Sequence, residues 1–214
     1  MSRHTENLKS RKNTKMSREK RQKELLLIGV DMFANRGILR ATHADIASEA
    51  GLSVPTVFSY FNSRSTLVDS VLTEVDSFFI TLLKNSAKHN HSLLARDRVI
   101  NMVKDCVDVR YSNPSYIVVL IAWSAMIYDP VWNKFQKFFE KAIRIFSREL
   151  ELGKGDGSVP MTLDTKEAAT IIVGETNMIA MMAFSVRKKQ KLELFVSHYV
   201  DAALNFQKSS SASE

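Results

Sequence analysis

Thr42–Phe61 reads THADIASEAGLSVPTVFSYF, and its spacing is that of two short helices joined by a tight turn. Thr42 stands three residues before Asp45, the spacing of a capping box that satisfies the first orphan amides of a helix. Gly51 ends that helix, because glycine accepts the left-handed conformation a helix terminus requires. Ser53 caps the second helix, and Pro55 falls in its first turn, where a missing amide hydrogen costs little. Val54, Val57, Phe58 and Phe61 follow at i, i+3, i+4 and i+7 and form one apolar face. The other face carries Pro55, Thr56, Ser59 and Tyr60, which are small, polar or flat, and uncharged. A helix this short is not stable alone, and this face lacks the long charged side chains of a merely solvated surface. Its chemistry suits the major groove of DNA, where hydroxyls reach base edges and phosphates.

The charge distribution points the same way. Residues 1–23 hold nine Lys/Arg against Glu6 and Glu19, which equals the whole net charge of +7. A basic arm entering a helix pair is suited to phosphate and minor-groove contact. Taken alone, such a segment is as readily a solubilising tail.

The 214 residues suit one domain or two small ones, and 45% hydrophobic with 25% charged residues is ordinary for a globular protein. No apolar run approaches the roughly 20 residues of a membrane span, so no membrane association is expected. The basic N-terminus lacks a following apolar stretch, so a secretory signal is not expected. A lone cysteine, Cys106, forbids an intrachain disulfide and agrees with a cytoplasmic setting. Apart from the glycines near the start and the GKGDGSVP stretch at 153–160, breakers are sparse. Helical periods extend over about 18–35, from 64 for five turns, then near 92–111, 115–127, 130–152, 164–186 and 190–207. The fold expected is all-α with about nine helices. Residues 1–16 read as a flexible basic arm, 17–63 as a helix-turn-helix domain, 64–207 as a regulatory and dimerisation domain, and 208–214 as a disordered tail. The stripe Val68, Val71, Leu72, Val75, Phe79 and Leu82 makes the helix from Arg64 a lever between the two larger regions.

Phe33, Gly37, Thr42, Asp45–Ala47, Ala50–Ser53, Thr56–Phe58, Tyr60, Phe61, Arg64 and Leu67 together resemble the helix-turn-helix of TetR-family transcriptional regulators. HADIA (His43–Ala47), SVPTVFSYF (Ser53–Phe61), LVDSVL (Leu67–Leu72) and the AWSA and DPVW pieces of Ala122–Trp132 are similar to the LuxR/HapR/SmcR group of vibrio quorum-sensing regulators. The resemblance implies a homodimer that reads a partly palindromic operator in double-stranded DNA, represses or activates, and needs no cofactor. It implies that Ser53, Pro55, Thr56, Ser59 and Tyr60 face bases or phosphates. It further implies that Thr42 and Arg64 hold the DNA backbone, and that Arg11, Lys12 and Lys15 enter the minor groove. The group usually has Ala and Asn where this chain has Pro55 and Ser59, and Arg-Thr-Arg where it has Asn13-Thr14-Lys15. Asparagine pairs bidentately with adenine and arginine suits a narrow minor groove, so a shifted or relaxed sequence preference is expected.

Regulators of this family commonly enclose a ligand cavity. Phe79, Leu83, Met102, Trp123, Phe139, Ile143, Thr176 and Met178 are the candidates for a small apolar ligand, against the plainer reading that all eight are ordinary core. The Met-rich Asn177–Phe184 and the apolar residues Leu194, Phe195, Tyr199 and Leu204 of the last helix are implied to form the dimer interface. His89 and His91 have no acidic or cysteine partner nearby, so no metal site is assigned. Cys106 reads as a small buried hydrophobe. A helical carrier of hydrophobic ligands would leave the helix pair and basic arm unused, and an enzyme would need a polar constellation that the sequence does not display.

Overall fold

A computed structural model describes residues 17–185 and 189–205. Among them run nine α-helices and no strand: α1 (Arg18–Arg36), α2 (His43–Ala50), α3 (Val54–Phe58), α4 (Arg64–His89), α5 (Ala95–Ser112), α6 (Pro114–Ser124), α7 (Trp132–Asp156), α8 (Thr165–Ala183) and α9 (Lys189–Leu204). None is long and apolar enough to cross a membrane.

Local chemistry fixes the short elements. Thr42 Oγ1 accepts from the Asp45 amide, and the Asp45 carboxylate accepts from the Thr42 amide at 2.7 Å, so the capping box at the start of α2 is complete. The Thr42 hydroxyl and amide, with Arg36 beside them at 2.5 Å, hold the Asp45 carboxyl below its usual range. Gly51 then takes a φ of 63°, which admits the sharp turn into α3. Ser53 accepts from the Thr56 amide and starts α3, with Pro55 in its first turn.

The long helices enclose two apolar clusters that share α4. One joins Leu25, Phe33, Ile46, Val57 and Phe61 of the first three helices and their connections to Val71, Val75 and Phe79 of α4, then to Ile117, Trp123 and Phe135. The other packs α5, α7, α8 and α9 around Val99, Met102, Phe146, Leu150, Ile172 and Val196, and meets α4 at Leu83. The apolar core therefore does not pause where the helix-turn-helix ends.

Polar ties set α4 against its neighbours. Glu74 receives Lys23 of α1 at 2.6 Å and the Tyr116 hydroxyl of α6 at 2.9 Å. Lys134 and Lys141 of α7 reach back to Asp69 and Asp76 of α4.

The 153–160 stretch is not the simple break its glycines suggest. Helix α7 runs through Gly153 and Gly155 and ends at Gly157. Gly153 is buried, and a Cβ there would lie 2.4 Å from Val159 Cγ2 and 2.6 Å from Ala95 Cβ. It stands in a helix because two neighbours occupy the space of a side chain.

Two outcomes follow for stability. Gly153→Ala should lower it by about 1–3 kcal/mol through overpacking, although alanine is the better helix former by about 1 kcal/mol; a denaturant midpoint that rises would refute the packing account. Asp45→Ala should cost about 1 kcal/mol at neutral pH. Because the folded carboxyl is held low, that contribution is present above the usual carboxylate value and is lost as pH falls through the depressed one. Urea titrations of the wild type and Asp45→Ala should therefore draw together as pH is lowered below the usual carboxylate range.

Candidate nucleic-acid interface

Helix α3 is held from behind by two fully buried side chains, Val57 and Phe61. His43 at the start of α2 donates from Nε2 to the Phe61 carbonyl at 2.7 Å, and its ring stacks flat on Phe58 at 3.9 Å. The helix itself is a single turn and a half, but Ser59–Phe61 extend it, with the Phe61 amide bonded to the Val57 carbonyl. The apolar face is narrower than its spacing suggests. Val54 and Phe58 are 37% and 43% exposed, because only one side of so short a helix meets the core.

Pro55 and Ser59 are exposed on the outer surface, with Thr56 and Tyr60 half-buried beside them. Ser53 and Thr56 share a hydroxyl hydrogen bond at 2.8 Å, and Ser59 Oγ donates to the Thr56 carbonyl at 2.7 Å. Each hydroxyl oxygen keeps acceptor capacity beyond these bonds. The structure thus gathers Ser53, Pro55, Thr56, Ser59 and Tyr60 on one uncharged surface.

Thr42 and Arg64 are placed differently. Thr42 is exposed, but its hydroxyl both accepts from and donates to Asp45 within the cap. Arg64, in the first turn of α4, turns inward: its guanidinium donates to the Ala41 carbonyl and, at 2.5 Å, to the Ile38 carbonyl. It also lies over the Phe33 ring, 5.8 Å from the centroid. Burial disfavours its charge, which Asp45 partly restores. Both side chains hold the protein to itself: Thr42 completes the cap of α2, and Arg64 supplies donors to carbonyls that the α1–α2 connection leaves open.

Arg11, Lys12 and Lys15 lie outside the described residues. Arg18, the first residue of α1, brings a cation to the helix pair. It donates to the Ser59 carbonyl at 3.4 Å and sits over the Tyr60 ring, 5.8 Å from its centroid. Its charge is visible in the sequence as one of the basic segment, but only the fold, which sets the first residue of α1 beside the end of α3, brings it to Tyr60.

Behind this surface, helices α4 to α8 close on an apolar cavity of about 50 Å³. Phe79, Leu83, Phe139 and Thr176 line it, with Phe138, Phe146 and Asn177 among the others. Met102, Trp123 and Ile143 do not: they are buried in the two clusters, Trp123 with its indole N–H on the Val131 carbonyl at 3.0 Å. Met178 is 41% exposed on the outside of α8, one helical step away from the cavity-lining Asn177. Cys106 lines the cavity, and burial pushes its thiol up to about 12, so it stays protonated and unreactive. His89 and His91 each commit Nδ1 to a carbonyl of the preceding turn.

Residues 25–71 match the family of bacterial regulatory proteins designated tetR. Over 207 residues the chain is 30% identical to the HTH-type transcriptional regulator LuxR of Vibrio harveyi, which spans 92% of this chain and 95% of that protein. It is 26% identical over 144 residues to the nucleoid occlusion factor SlmA of Pasteurella multocida, covering 64% of this chain and 71% of the relative. Among solved structures, the fatty acid degradation regulator FadR of Bacillus halodurans aligns with a TM-score of 0.74 at 17% identity, over 90% of this chain and 99% of that one. FadR of Bacillus subtilis, solved with stearoyl-CoA, aligns with a TM-score of 0.72 at 16% identity, over 86% and 97% of the two chains. At these identities the structures bear on the fold alone. The helix-turn-helix, the all-α bundle behind it and the end-to-end match with LuxR agree: the chain belongs to the TetR family of DNA-binding transcriptional regulators.

Proposed function

We propose that this regulator binds a partly palindromic operator as a homodimer, with α3 of each protomer in successive major grooves and the basic arm in the adjacent minor groove. The observation that carries the reading is the uncharged, hydroxyl-rich outer surface of α3, braced from behind by His43, Val57 and Phe61. Two such helices about one turn of DNA apart read two half-sites. The protein then works where the chromosome is, in the cytoplasm.

The dimer is supported by apolar side chains that the single chain leaves uncovered on its last two helices. Met178, Met181 and Phe184 are 41%, 53% and 52% exposed, and Leu194 of α9 is 57% exposed. Leu204, by contrast, is buried within the chain's own core. A four-helix contact between α8 and α9 of two protomers would cover the exposed set.

Control by an apolar ligand is the second element of the proposal. The cavity lining is almost wholly apolar, yet its 50 Å³ is far below the roughly 300 Å³ at which small-molecule pockets begin. A ligand must therefore spread α7 from α4 and α8. The ion pairs of Lys134 and Lys141 with Asp69 and Asp76 would carry that movement to α4, which begins beside the recognition helix. The stearoyl-CoA held by the Bacillus subtilis relative supports an acyl-like ligand for this fold.

Selection from a random duplex library at near-physiological salt should recover an approximate palindrome with half-sites about one turn apart; recovery without enrichment would refute specific readout. Thr56→Ala should weaken binding to that sequence by about 1–3 kcal/mol with the dimer intact by sedimentation. Loss of the dimer instead would place that face in the core. Removing residues 1–16 should make the slope of log affinity against log salt shallower by about 0.9 for each phosphate that the arm neutralises. An unchanged slope would show the arm to be a passive tail.

A further inference from the structure

The end of α4, the connection to α5 and the outer face of α7 enclose a surface cleft of about 760 Å³. It is separate from the interior cavity and lies at the far end of α4, about 30 Å from Arg64 at 1.5 Å per residue. Its volume falls in the range of small-molecule sites, roughly 300–1,000 Å³.

The walls combine two chemistries. Leu93, Leu94 and Leu152 are 40%, 53% and 55% exposed there, a grouping of uncovered leucines that a merely solvated surface would not need. Around them stand Lys84, Lys88 and Arg148, whose side chains make neither hydrogen bond nor ion pair among the described residues.

Arg98 supplies the floor and is only 5% exposed. Its Nε donates to Glu149 at 2.6 Å and its Nη1 to the Leu93 carbonyl at 2.7 Å, while Nη2 has no partner among the described residues. The carboxylates nearby are already committed. Glu149 is held by Arg98, and Asp156 accepts from the Ala95 and Ser158 amides, each at 2.9 Å. Four cations thus face two occupied carboxylates. The surplus of two positive charges matches a phosphomonoester, which carries about −1.5 to −2 at neutral pH. Arginine and lysine together suit it, one as a fixed fork and the other as a point charge.

We propose that this cleft binds an organic phosphate with an apolar body. The phosphate sits among Lys84, Lys88, Arg98 and Arg148, and the apolar part lies on Leu93, Leu94 and Leu152. The site stands independently of the DNA reading. The head group comes either from a soluble phosphomonoester or from a membrane lipid.

Octyl phosphate, titrated calorimetrically into the full-length protein, tests this. Saturable binding of one molecule per chain is expected, with octyl glucoside, its uncharged counterpart, binding at least tenfold more weakly. The exposed pair Lys88→Glu/Arg148→Glu touches no structural bond and should keep the wild-type melting profile while losing at least tenfold in affinity. Equal binding of octyl glucoside, or unchanged affinity in the double variant, would overturn the proposal. Flotation with vesicles of phosphatidylcholine containing phosphatidic acid separates the two sources. Capture that requires Lys88 and Arg148 assigns the phosphate to a lipid. Octyl phosphate binding without capture assigns it to a soluble ligand. Capture undiminished in the double variant would count against the cleft.

Discussion

Everything in the DNA-facing half depends on how Arg64 is used. The connection between α1 and α2 leaves the Ile38 and Ala41 carbonyls without helical partners, and the guanidinium of Arg64 donates to both. Because Arg64 is the first residue of α4, the same side chain fastens the helix-turn-helix to the helix that runs on into the bundle. Lysine could supply the charge but not two directed donors from one planar group. The Phe33 ring beneath limits the directions in which the fork can settle. The position of α2 relative to α4 is thereby determined by a few atoms rather than by broad packing alone.

Further along, α4 belongs to two cores at once. Val71 and Val75 complete the interior of the first three helices, while Leu83 reaches the cluster of α5, α7, α8 and α9. A rigid helix shared in this way would transmit the proposed displacement, because packed interiors move between discrete arrangements rather than yielding gradually. The Lys134–Asp69 pair on its flank adds direction more than stability. Asp69 is largely exposed, and the net worth of such a pair is small. The narrow interior cavity fits the same picture, since a well-packed bundle resists a guest until several helices part together.

Much of this was legible in the chain, and the failures have physical causes. Thr42 with Asp45, Gly51, and Ser53 with Pro55 act through neighbours in sequence, so their capping and turning roles could be read directly. The long stripe of α4 was equally plain. The fate of Val54 and Phe58 was not, because a period identifies a face but not how much of it a core will cover. Arg64 looked like a phosphate ligand, since nothing local reveals that two carbonyls some two dozen residues earlier wait for it. Gly153 read as a breaker, whereas its meaning lies in Ala95, distant in sequence and adjacent in space. The cavity was half visible for a related reason. Helical spacing cannot separate a residue that touches a void, such as Phe139, from one such as Trp123 whose surface is wholly covered.

Arg18 bears on the proposed reading of two grooves at once. Its contacts with the Ser59 carbonyl and the Tyr60 ring anchor the root of the basic segment against the end of α3. With the root held there, the stagger between what the arm and α3 are proposed to touch would be influenced by the protein itself. DNA turns by about 34° per base pair, taking 10–10.5 pairs per turn, so one inserted pair rotates one groove contact away from the other. If the proposed contacts hold, a reader tethered in this way would measure length and phase as well as base identity.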